Sequence, residues 1–468
     1  MSAKIVMKFG GTSVADADAI RRLIAIARAA RERSGTPPVV VVSAMSGVTD
    51  RLLALAAEAE RGGADSACAG AAEVWRRHEA AARALAPDRC GMLLGDLERE
   101  VKQLLAVLHA LEIFREASPR SLDGIAATGE LLTSRLVAAA FEEAGLPAAW
   151  VDPRRMLVTD DQYGCAVPLM DETVEAARRE LSPHLDAGRL PVTGGFIGAT
   201  KDGVTTTLGR GGSDYSAALV GAALDAEIQI WTDVDGMLTA DPRVVSAPLV
   251  VPHLSFGEAS ELAYFGAKVL HPSTILPAVT KNLPVRILNS RRPDAAGTLI
   301  TSAGPGDERP LAAIACKQPV TVVDITSTRM LMAYGFLRRV FEAFERHRTA
   351  VDVVTTSEVS VSVTVDDDRR VGLIAEALGE FADVQIERDM AILCVVGDNL
   401  RRDSRIAARV IAALDGFQLR LVSQAASRRN LTVVVGRDDL AAAMNRVHEE
   451  FFAGARARAA SASCGASR

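Results

Sequence analysis

Apolar residues in the first part of the chain alternate between short continuous runs and helix-like spacings. Ile5–Lys8 is a short apolar run. The segment Ile20–Ala27 then places apolar residues at i, i+3, i+4 and i+7, which predicts an amphipathic helix. Val39–Val42 is a continuous β-branched run, typical of a strand that is buried on both faces.

The same alternation continues to about residue 300. Residues 53–117 are rich in Ala, Leu and Glu and are predicted to be largely helical, with one break at Pro87. The elements predicted after them are a helix at Leu131–Glu143, a strand near Val192, a helix from Ser213, a strand at Ile228–Trp231, a helix at Ser255–Phe265 and a strand at Val285–Leu288. Strands that alternate with helices in this way predict an α/β fold, in which a mainly parallel sheet is covered on both faces.

The pattern changes after residues 301–310, a linker-like segment rich in Gly, Pro and charge. The strands that follow alternate apolar and polar positions, and an internal repeat appears. Val340 and Val361 recur 70 positions later as Val410 and Leu431, within matching helix and strand patterns. We therefore predict domains at 1–302, 311–390 and 391–452, the last two being copies of one small α+β unit, followed by a disordered tail at 453–468.

Composition and charge speak against a nucleic-acid-binding, membrane-spanning or secreted protein. The 468 residues carry a net charge of −6, which gives no general attraction to nucleic acid or to an anionic membrane. No apolar run approaches the roughly 20 residues of a membrane helix, and the N-terminus lacks the pattern of a secretory signal. The six cysteines are scattered without a CxxC motif, as expected for reduced thiols, so we expect a cytoplasmic protein.

Three segments carry candidate chemistry. Lys8–Ser13 (KFGGTS) stands where a strand ends and a helix begins, so its paired glycines and lysine are suited to a phosphate. Thr205–Ser216 places three glycines, Arg210 and Asp214 between a strand and a helix, and Arg210 suits a carboxylate or phosphate. Trp231–Met237 is a strand that runs into an acidic turn. The chain contains no Walker-type GxxxxGK[ST] loop and no GxGxxG loop.

Five motifs together resemble the aspartate kinases, in order along nearly the whole chain. They are KFGGTSVAD at Lys8–Asp16, GVTTTLGRGGSDYSA at Gly203–Ala217, WTDVDG at Trp231–Gly236, DPR at Asp241–Arg243 and FGAKVLHP at Phe265–Pro272. The resemblance implies an N-terminal amino-acid-kinase domain, an α/β/α sandwich, followed by two ferredoxin-like ACT domains. The 70-residue repeat agrees with an ACT pair independently.

The resemblance also implies roles for individual residues. It assigns Lys8 and Asp214 to catalysis, with Asp214 organising the lysine and the phosphate. Aspartate would be held by Thr49, Glu130, Phe196, Arg210 and Ser213. ATP would be contacted by Lys8, Gly10, Gly11, Thr232, Asp233, Arg243 and Lys268, with Leu238 standing where family members often have Tyr.

The C-terminal half resembles the regulatory region of lysine-inhibited aspartate kinases in its YGFL and TTSEVSV segments. The effector site implied by this resemblance consists of Met330, Tyr334, Gly335, Phe336, Leu337, Val351, Asp352, Thr356, Ser357 and Glu358. Ala333 stands where some members have Ser, so threonine stays open as the competing effector. ACT domains bind effectors at interfaces, which implies a homodimer or homotetramer.

The expected reaction is transfer of the γ-phosphoryl group of ATP, with Mg²⁺, to the β-carboxylate of L-aspartate, the first step toward lysine, threonine and methionine. The substrate carboxylate is already ionised, so the enzyme would supply positioning and positive charge rather than a nucleophile or a base. We expect no metal ligand set made of protein side chains alone.

Two other functions stay open on the sequence. One is phosphorylation of glutamate or N-acetylglutamate, against which the LGRGGSDYSA loop and the C-terminal repeat speak. The other is a catalytically inactive amino-acid sensor, which would show no ATP turnover; the intact Lys8, Arg210 and Asp214 speak against it.

Overall fold

The structure is a computed structural model that describes residues 4–266, 272–304, 309–327, 334–424 and 427–465. It divides into two compact units, Met1–Met237 with Leu270–Ser302, and Leu238–Val269 with Ala303–Arg468. Within the described ranges, no helix combines the length and the apolar character that crossing a membrane requires.

The strands of both units are, in chain order, β1 (Ile5–Phe9), β2 (Val39–Val42), β3 (Ala148–Trp150), β4 (Val158–Thr159), β5 (Leu190–Gly194), β6 (Ile197–Thr200), β7 (Thr205–Thr207), β8 (Glu227–Thr232), β9 (His253–Ser255), β10 (Val285–Asn289), β11 (Thr298–Thr301), β12 (Ala313–Thr326), β13 (Val354–Thr356), β14 (Ser360–Val365), β15 (Asp383–Val396), β16 (Leu421–Gln424) and β17 (Asn430–Gly436).

The α-helices are, in chain order, α1 (Ala17–Ser34), α2 (Val48–Glu60), α3 (Ala64–Leu85), α4 (Cys90–Phe114), α5 (Pro119–Glu143), α6 (Met170–Asp186), α7 (Gly212–Leu224), α8 (Phe256–Tyr264), α9 (Leu276–Lys281), α10 (Phe336–Arg346), α11 (Val371–Gly379), α12 (Ser404–Ala413) and α13 (Leu440–Gly465).

The first unit is built on a mainly parallel sheet, as predicted. Its strands follow the order β3-β5-β2-β1-β8-β10-β11, and only the β10–β11 pair is antiparallel. All four residues of β2 are buried, which confirms the strand predicted at Val39–Val42. A smaller sheet, β4-β6-β7, lies beside it in the same unit. The α/β fold class is therefore confirmed.

One predicted helix begins earlier than the apolar pattern indicated. The pattern predicted Leu131–Glu143, whereas α5 begins at Pro119. Ser118 caps the helix by accepting a hydrogen bond from the Ser121 amide, and Pro119 occupies the first turn, where a missing N–H costs nothing. Ser118 and Pro119 are the residues that signal the start of this helix, but the spacing of apolar residues does not extend into its first turns.

The second unit contains one antiparallel sheet with two hydrophobic cores. Its strand order is β13-β14-β12-β15-β17-β16, with the long strands β12 and β15 at the centre. One core gathers Val340 of α10 and Val361 of β14. The other gathers Val410 of α12 and Leu431 of β17, 70 positions later in each case. The internal repeat is therefore present as two structural modules.

The predicted boundary between residues 390 and 391 does not separate the two modules, because part of the predicted first copy packs in the second module. Leu311 and Ile314, predicted in the first copy, pack into the core of the second with Leu393. The reason is that the N-terminal half of β12 pairs with the C-terminal half of β15, as in Ile314 opposite Val395. The first module is thus inserted into the second.

Two further segments differ from the predicted domain bounds. Residues 238–269 were predicted in the N-terminal domain but group with the second unit. There Thr239 Oγ1 and His448 Nε2 share a hydrogen bond of 2.8 Å, and Val245 packs in the core with Leu440. The tail predicted to be disordered from residue 453 is helical as far as Gly465, because α13 continues through it.

Candidate active site

A cavity of about 540 Å³ opens in the first unit, where the carboxyl ends of β1, β2, β5 and β8 meet. Ligands of open α/β sheets bind at this edge. The predicted site residues that line the cavity are Lys8, Gly10, Gly11, Thr49, Glu130, Phe196, Ser213, Asp214, Thr232 and Asp233. The structure therefore brings together residues that lie more than 200 positions apart in the sequence.

Lys8 and Asp214 form the charged centre of this cavity. The Lys8 Nζ atom lies 2.6 Å from Asp214 Oδ1, and the two side chains are only 12% and 14% exposed. Lys8 belongs to β1 and Asp214 to the first turn of α7. Asp214 thus holds the ammonium group of Lys8 at the cavity wall, in surroundings that screen charge less than bulk water does.

The two glycines after Lys8 leave the backbone open to a ligand. A Cβ at Gly11 would come within 3.0 Å of the Ala44 carbonyl oxygen, and a Cβ at Gly10 would lie 3.6 Å from Lys8 Nζ. Any larger residue at position 11 would crowd the next loop, at Ala44, so glycine is the residue that fits there. Short paired-glycine loops of this kind allow main-chain N–H groups to approach a phosphate closely.

The loop after β5 interlocks with the start of α7. A Cβ at Gly195 would meet Ser213 Cβ at 2.7 Å, and a Cβ at Gly212 would meet the Phe196 ring at 2.7 Å. Phe196 itself has a φ of 68°, in the left-handed region, and its N–H donates to Ser216 Oγ at 2.9 Å. This close fit fixes Phe196 and Ser213 beside each other at the cavity.

Glu130 is a buried acid at the cavity wall. It is 3% exposed, and its Oε2 atom has no hydrogen-bond partner among the described residues. Burial raises the pKa of Glu130 to about 8, although the Ala44 backbone and the Lys8 charge act in the opposite direction. The side chain therefore favours its protonated form at neutral pH, and a bound cation would favour its ionised form.

The loop Ser43–Gly47 after β2 also lines the cavity, and the sequence analysis missed most of it. Thr133 Oγ1 accepts the Met45 amide at 3.2 Å, and the Arg77 guanidinium donates to the Ser46 carbonyl at 2.8 Å. The signal that would have found this loop is its position directly after the buried strand β2, by the same rule that singled out Lys8–Ser13. Asp50 is a further lining residue that was missed, whereas Thr12, Gly209, Gly211 and Gly212 also line the cavity and belong to the two glycine segments already singled out.

Three predicted residues are not part of this cavity as described. Arg210 is exposed in the turn before α7 and does not line the cavity. Arg243 belongs to the second unit, where its guanidinium pairs with Asp241 at 2.6 Å. Lys268 lies outside the described residues.

The predicted effector residues fall in the first module of the second unit. Phe336 is buried in its core and Val351 packs against that core, whereas Tyr334, Thr356 and Glu358 are exposed. Gly335 is the N-cap of α10, Leu337 lies in its first turn and is exposed, and Ser357 lies in the turn between β13 and β14. Met330 is outside the described residues.

Asp352 is the buried charge of this region. Its side chain is 3% exposed, accepts the Tyr264 hydroxyl at 3.2 Å and lies 2.7 Å from Lys317 Nζ. Lys317 also lies 2.7 Å from Asp366. Burial raises the pKa of Asp352, with Lys317 opposing it, and Oδ2 has no hydrogen-bond partner among the described residues.

Comparison with known proteins finds a matching family for each of the two parts of the chain. A model of the amino acid kinase family matches residues 3–289, and a model of the ACT domain matches residues 393–451. The lysine-sensitive aspartokinase 3 of Escherichia coli is 36% identical over 462 residues, which cover 97% of this chain and 100% of that protein.

Two solved structures of E. coli aspartokinase III are similar over nearly the full length. The complex with lysine and aspartate, described as the T-state, has a TM-score of 0.80 at 35% identity and covers 96% of this chain and 99% of that one. The complex with aspartate and ADP, described as the R-state, has a TM-score of 0.81 at 34% identity and covers 96% and 100%.

Proposed function

Because the chain belongs to the amino acid kinase family and, within it, to the aspartokinases, we propose that it transfers the γ-phosphoryl group of ATP to the β-carboxylate of L-aspartate. The product would be 4-phospho-L-aspartate, with ADP as the leaving group. The observation that carries this proposal is the convergence of Lys8, Asp214 and Glu130 on one cavity beside two glycines.

Phosphoryl transfer to a carboxylate requires positive charge and precise positioning of the two substrates. A β-carboxylate oxygen attacks the γ-phosphorus, the bond from that phosphorus to the bridging oxygen breaks, and ADP departs with the electron pair. No proton has to move, since the attacking carboxylate is ionised. The difficulty is to bring two anions together, and the ammonium group of Lys8 is placed to stabilise the negative charge of the transferring phosphoryl group.

Glu130 supports recognition of an amino acid. Glu130 lines the cavity, and its buried Oε2 atom has no hydrogen-bond partner among the described residues. The α-ammonium group of aspartate would be a suitable cation for it. Thr49, Phe196 and Ser213 line the same cavity and would complete the aspartate pocket. Arg210 would bind a substrate carboxylate only if its exposed side chain turned toward the cavity when substrate binds.

The nucleotide would lie toward Gly10, Gly11, Thr232 and Asp233. The contacts that the resemblance assigns to Arg243 and Lys268 stay predictions. The described residues contain no group of three or more His, Cys, Asp or Glu side chains able to hold a metal ion. Mg²⁺ that arrives on the ATP phosphates needs only one or two protein carboxylates. Asp214 and Asp233 are the carboxylates that would assist it, and the ion would neutralise phosphate charge.

The substrate is tested by ADP release with Mg-ATP and, separately, L-aspartate, L-glutamate and N-acetyl-L-glutamate. Hydroxylamine traps an acyl phosphate as a hydroxamate, so the product class is read in the same reaction. We expect ADP and hydroxamate with aspartate alone. Turnover only with another acid would overturn the substrate, and no turnover with any acid would favour the sensor function.

The second unit would make this activity responsive to lysine. Lysine is an ammonium-rich effector, and Asp352 and Glu358 are acids of the first module that suit it. Initial rates measured against lysine and threonine in separate titrations decide between the two effectors. The expected homodimer or homotetramer is tested by light scattering with and without lysine.

A further inference from the structure

A second cavity, also of about 540 Å³, lies in the second module of the second unit. Its walls come from the loop between β15 and α12, from Arg428 and Arg429 just before β17, and from Gly304. The charged residues that line it are Asp398, Arg401, Arg402, Arg428 and Arg429. Four arginines and one aspartate therefore line a space large enough for a small ligand.

Most of this positive charge has no partner carboxylate among the residues that the structure describes. Arg429 lies 2.5 Å from Asp398, which leaves that carboxylate engaged. Within the described residues, no carboxylate lies within ion-pair distance of Arg401, Arg402 or Arg428. Like charges held close together repel one another, so a cluster of this kind is stabilised by a bound anion.

The repeat shows that this cavity is the counterpart of the predicted effector region. A shift of 70 positions carries the turn residue Glu358 onto Arg428, and it carries the buried Asp352 onto Val422. At these two positions the second module has an arginine and a valine in place of the acids of the first. A pocket built in this way is unsuited to an ammonium group and suited to an anion.

We propose that the cavity of Arg401, Arg402 and Arg428 is a binding site for a small polyanion that carries two or more phosphate or carboxylate groups. Guanidinium groups bind both kinds of group through paired hydrogen bonds. This inference does not depend on the proposed kinase reaction, because the site lies in another unit from Lys8 and Asp214.

The test is calorimetric titration of the full-length protein with tripolyphosphate and, separately, with citrate. Parallel titrations of Lys8→Ala separate any binding in the catalytic cavity from binding at this site, and the two probes distinguish phosphate from carboxylate ligands. The variant is Arg402→Ala/Arg428→Ala, whose side chains are both exposed, so folding is unaffected; circular dichroism checks this. The matched control is Arg99→Ala/Arg369→Ala, which removes the same charge from exposed arginines that are paired with Asp96 and Asp367.

We expect at least one probe to bind the wild type and the control variant, and to bind the cavity variant at least about tenfold more weakly. Affinity should also fall as salt rises, as it does for exposed charges. The proposal is overturned if neither probe binds, or if the cavity variant binds as tightly as the control.

Discussion

The ammonium group of Lys8, at the end of the central strand β1, lies 2.6 Å from the carboxylate of Asp214, in the first turn of α7. The pair couples the glycine loop after β1 to the glycine-rich loop before α7. Both loops line the cavity, so the ion pair sets the position of the ammonium group that we propose to act on the transferring phosphoryl group.

Replacing Asp214 with Asn should slow phosphoryl transfer, because Lys8 would lose the group that orients it. We expect kcat to fall by about 100-fold, the cost typical of a misplaced catalytic group. Steady-state kinetics with Mg-ATP and aspartate measure this. As a control, Asp225→Asn removes a carboxylate at the other end of the same helix, 61% exposed, and should leave kcat nearly unchanged. Equal kcat values in the two variants would refute an orienting role for Asp214.

The raised pKa of Glu130 predicts that aspartate binding is coupled to the release of a proton. Because its pKa is about 8 in the empty cavity, the arrival of the aspartate ammonium group should ionise it and release a proton below pH 8. Calorimetric heats of aspartate binding, measured in buffers with different ionisation enthalpies, report that proton. Glu130→Gln should bind aspartate more weakly and without release. Buffer-independent heat in the wild type at pH 7 would contradict the assignment.

The same raised pKa predicts a pH effect on stability. The protonated form of Glu130 is favoured in the folded protein, so its contribution is fully present below pH 4.5 and is lost as pH rises toward 8. We expect the free energy of unfolding of the wild type to decline relative to Glu130→Gln across this range. Urea unfolding at pH 5 and pH 8 measures the difference. If the difference in free energy of unfolding between the two proteins is the same at both pH values, burial does not raise the pKa of Glu130.

Gly195→Ala should damage the site through packing alone. The added Cβ would lie 2.7 Å from Ser213 Cβ and 2.8 Å from its Cα, so the start of α7 must shift. We expect a loss of about 1–3 kcal/mol of stability, as for other overpacked positions, and a lower kcat. Gly124→Ala is the control, since it lies in α5 with no atom within 4 Å of the new Cβ. It should be neutral or stabilising by up to about 1 kcal/mol. Similar losses in both variants would contradict this packing explanation.

Asp352→Asn should weaken inhibition by lysine, if the first module is the effector site. We expect the half-inhibitory lysine concentration to rise at least about tenfold, because a charge-assisted contact is lost. The control is Asp366→Asn, which removes the other carboxylate at 2.7 Å from Lys317 but is 44% exposed. A larger shift for Asp366→Asn than for Asp352→Asn would contradict the predicted role of Asp352.

The elements next to the site were predictable because local patterns determine them. A buried β-branched run marked β2, and glycines with a lysine after a short strand marked the phosphate loop at Lys8–Ser13. The rule that ligands bind at strand ends indicated Lys8–Ser13, whereas Asp233 was assigned through the resemblance carried by the WTDVDG motif. The same rule, applied to Val42, would have added Ser43–Gly47.

Other features depend on contacts that a local pattern does not contain. Leu311 and Ile314 pack with the second module because β12 and β15 pair along their whole lengths, a non-local choice. The exposure of Arg210 depends on how the turn before α7 directs its side chain, which composition does not reveal. The pKa of Glu130 depends on its burial by neighbours from other elements.

Phosphoryl transfer at Lys8 is tested by rapid-quench single turnover with γ-labelled ATP and aspartate, comparing wild type with Lys8→Ala. Binding of ADP and aspartate is measured beside it, so that loss of binding is separated from loss of chemistry. A wild type that forms labelled acyl phosphate, with a rate roughly 10²–10³ lower in Lys8→Ala, would be the outcome expected for one lost charge donor. A near-normal rate in Lys8→Ala would show that the phosphoryl group is transferred without Lys8 and would contradict the assigned site.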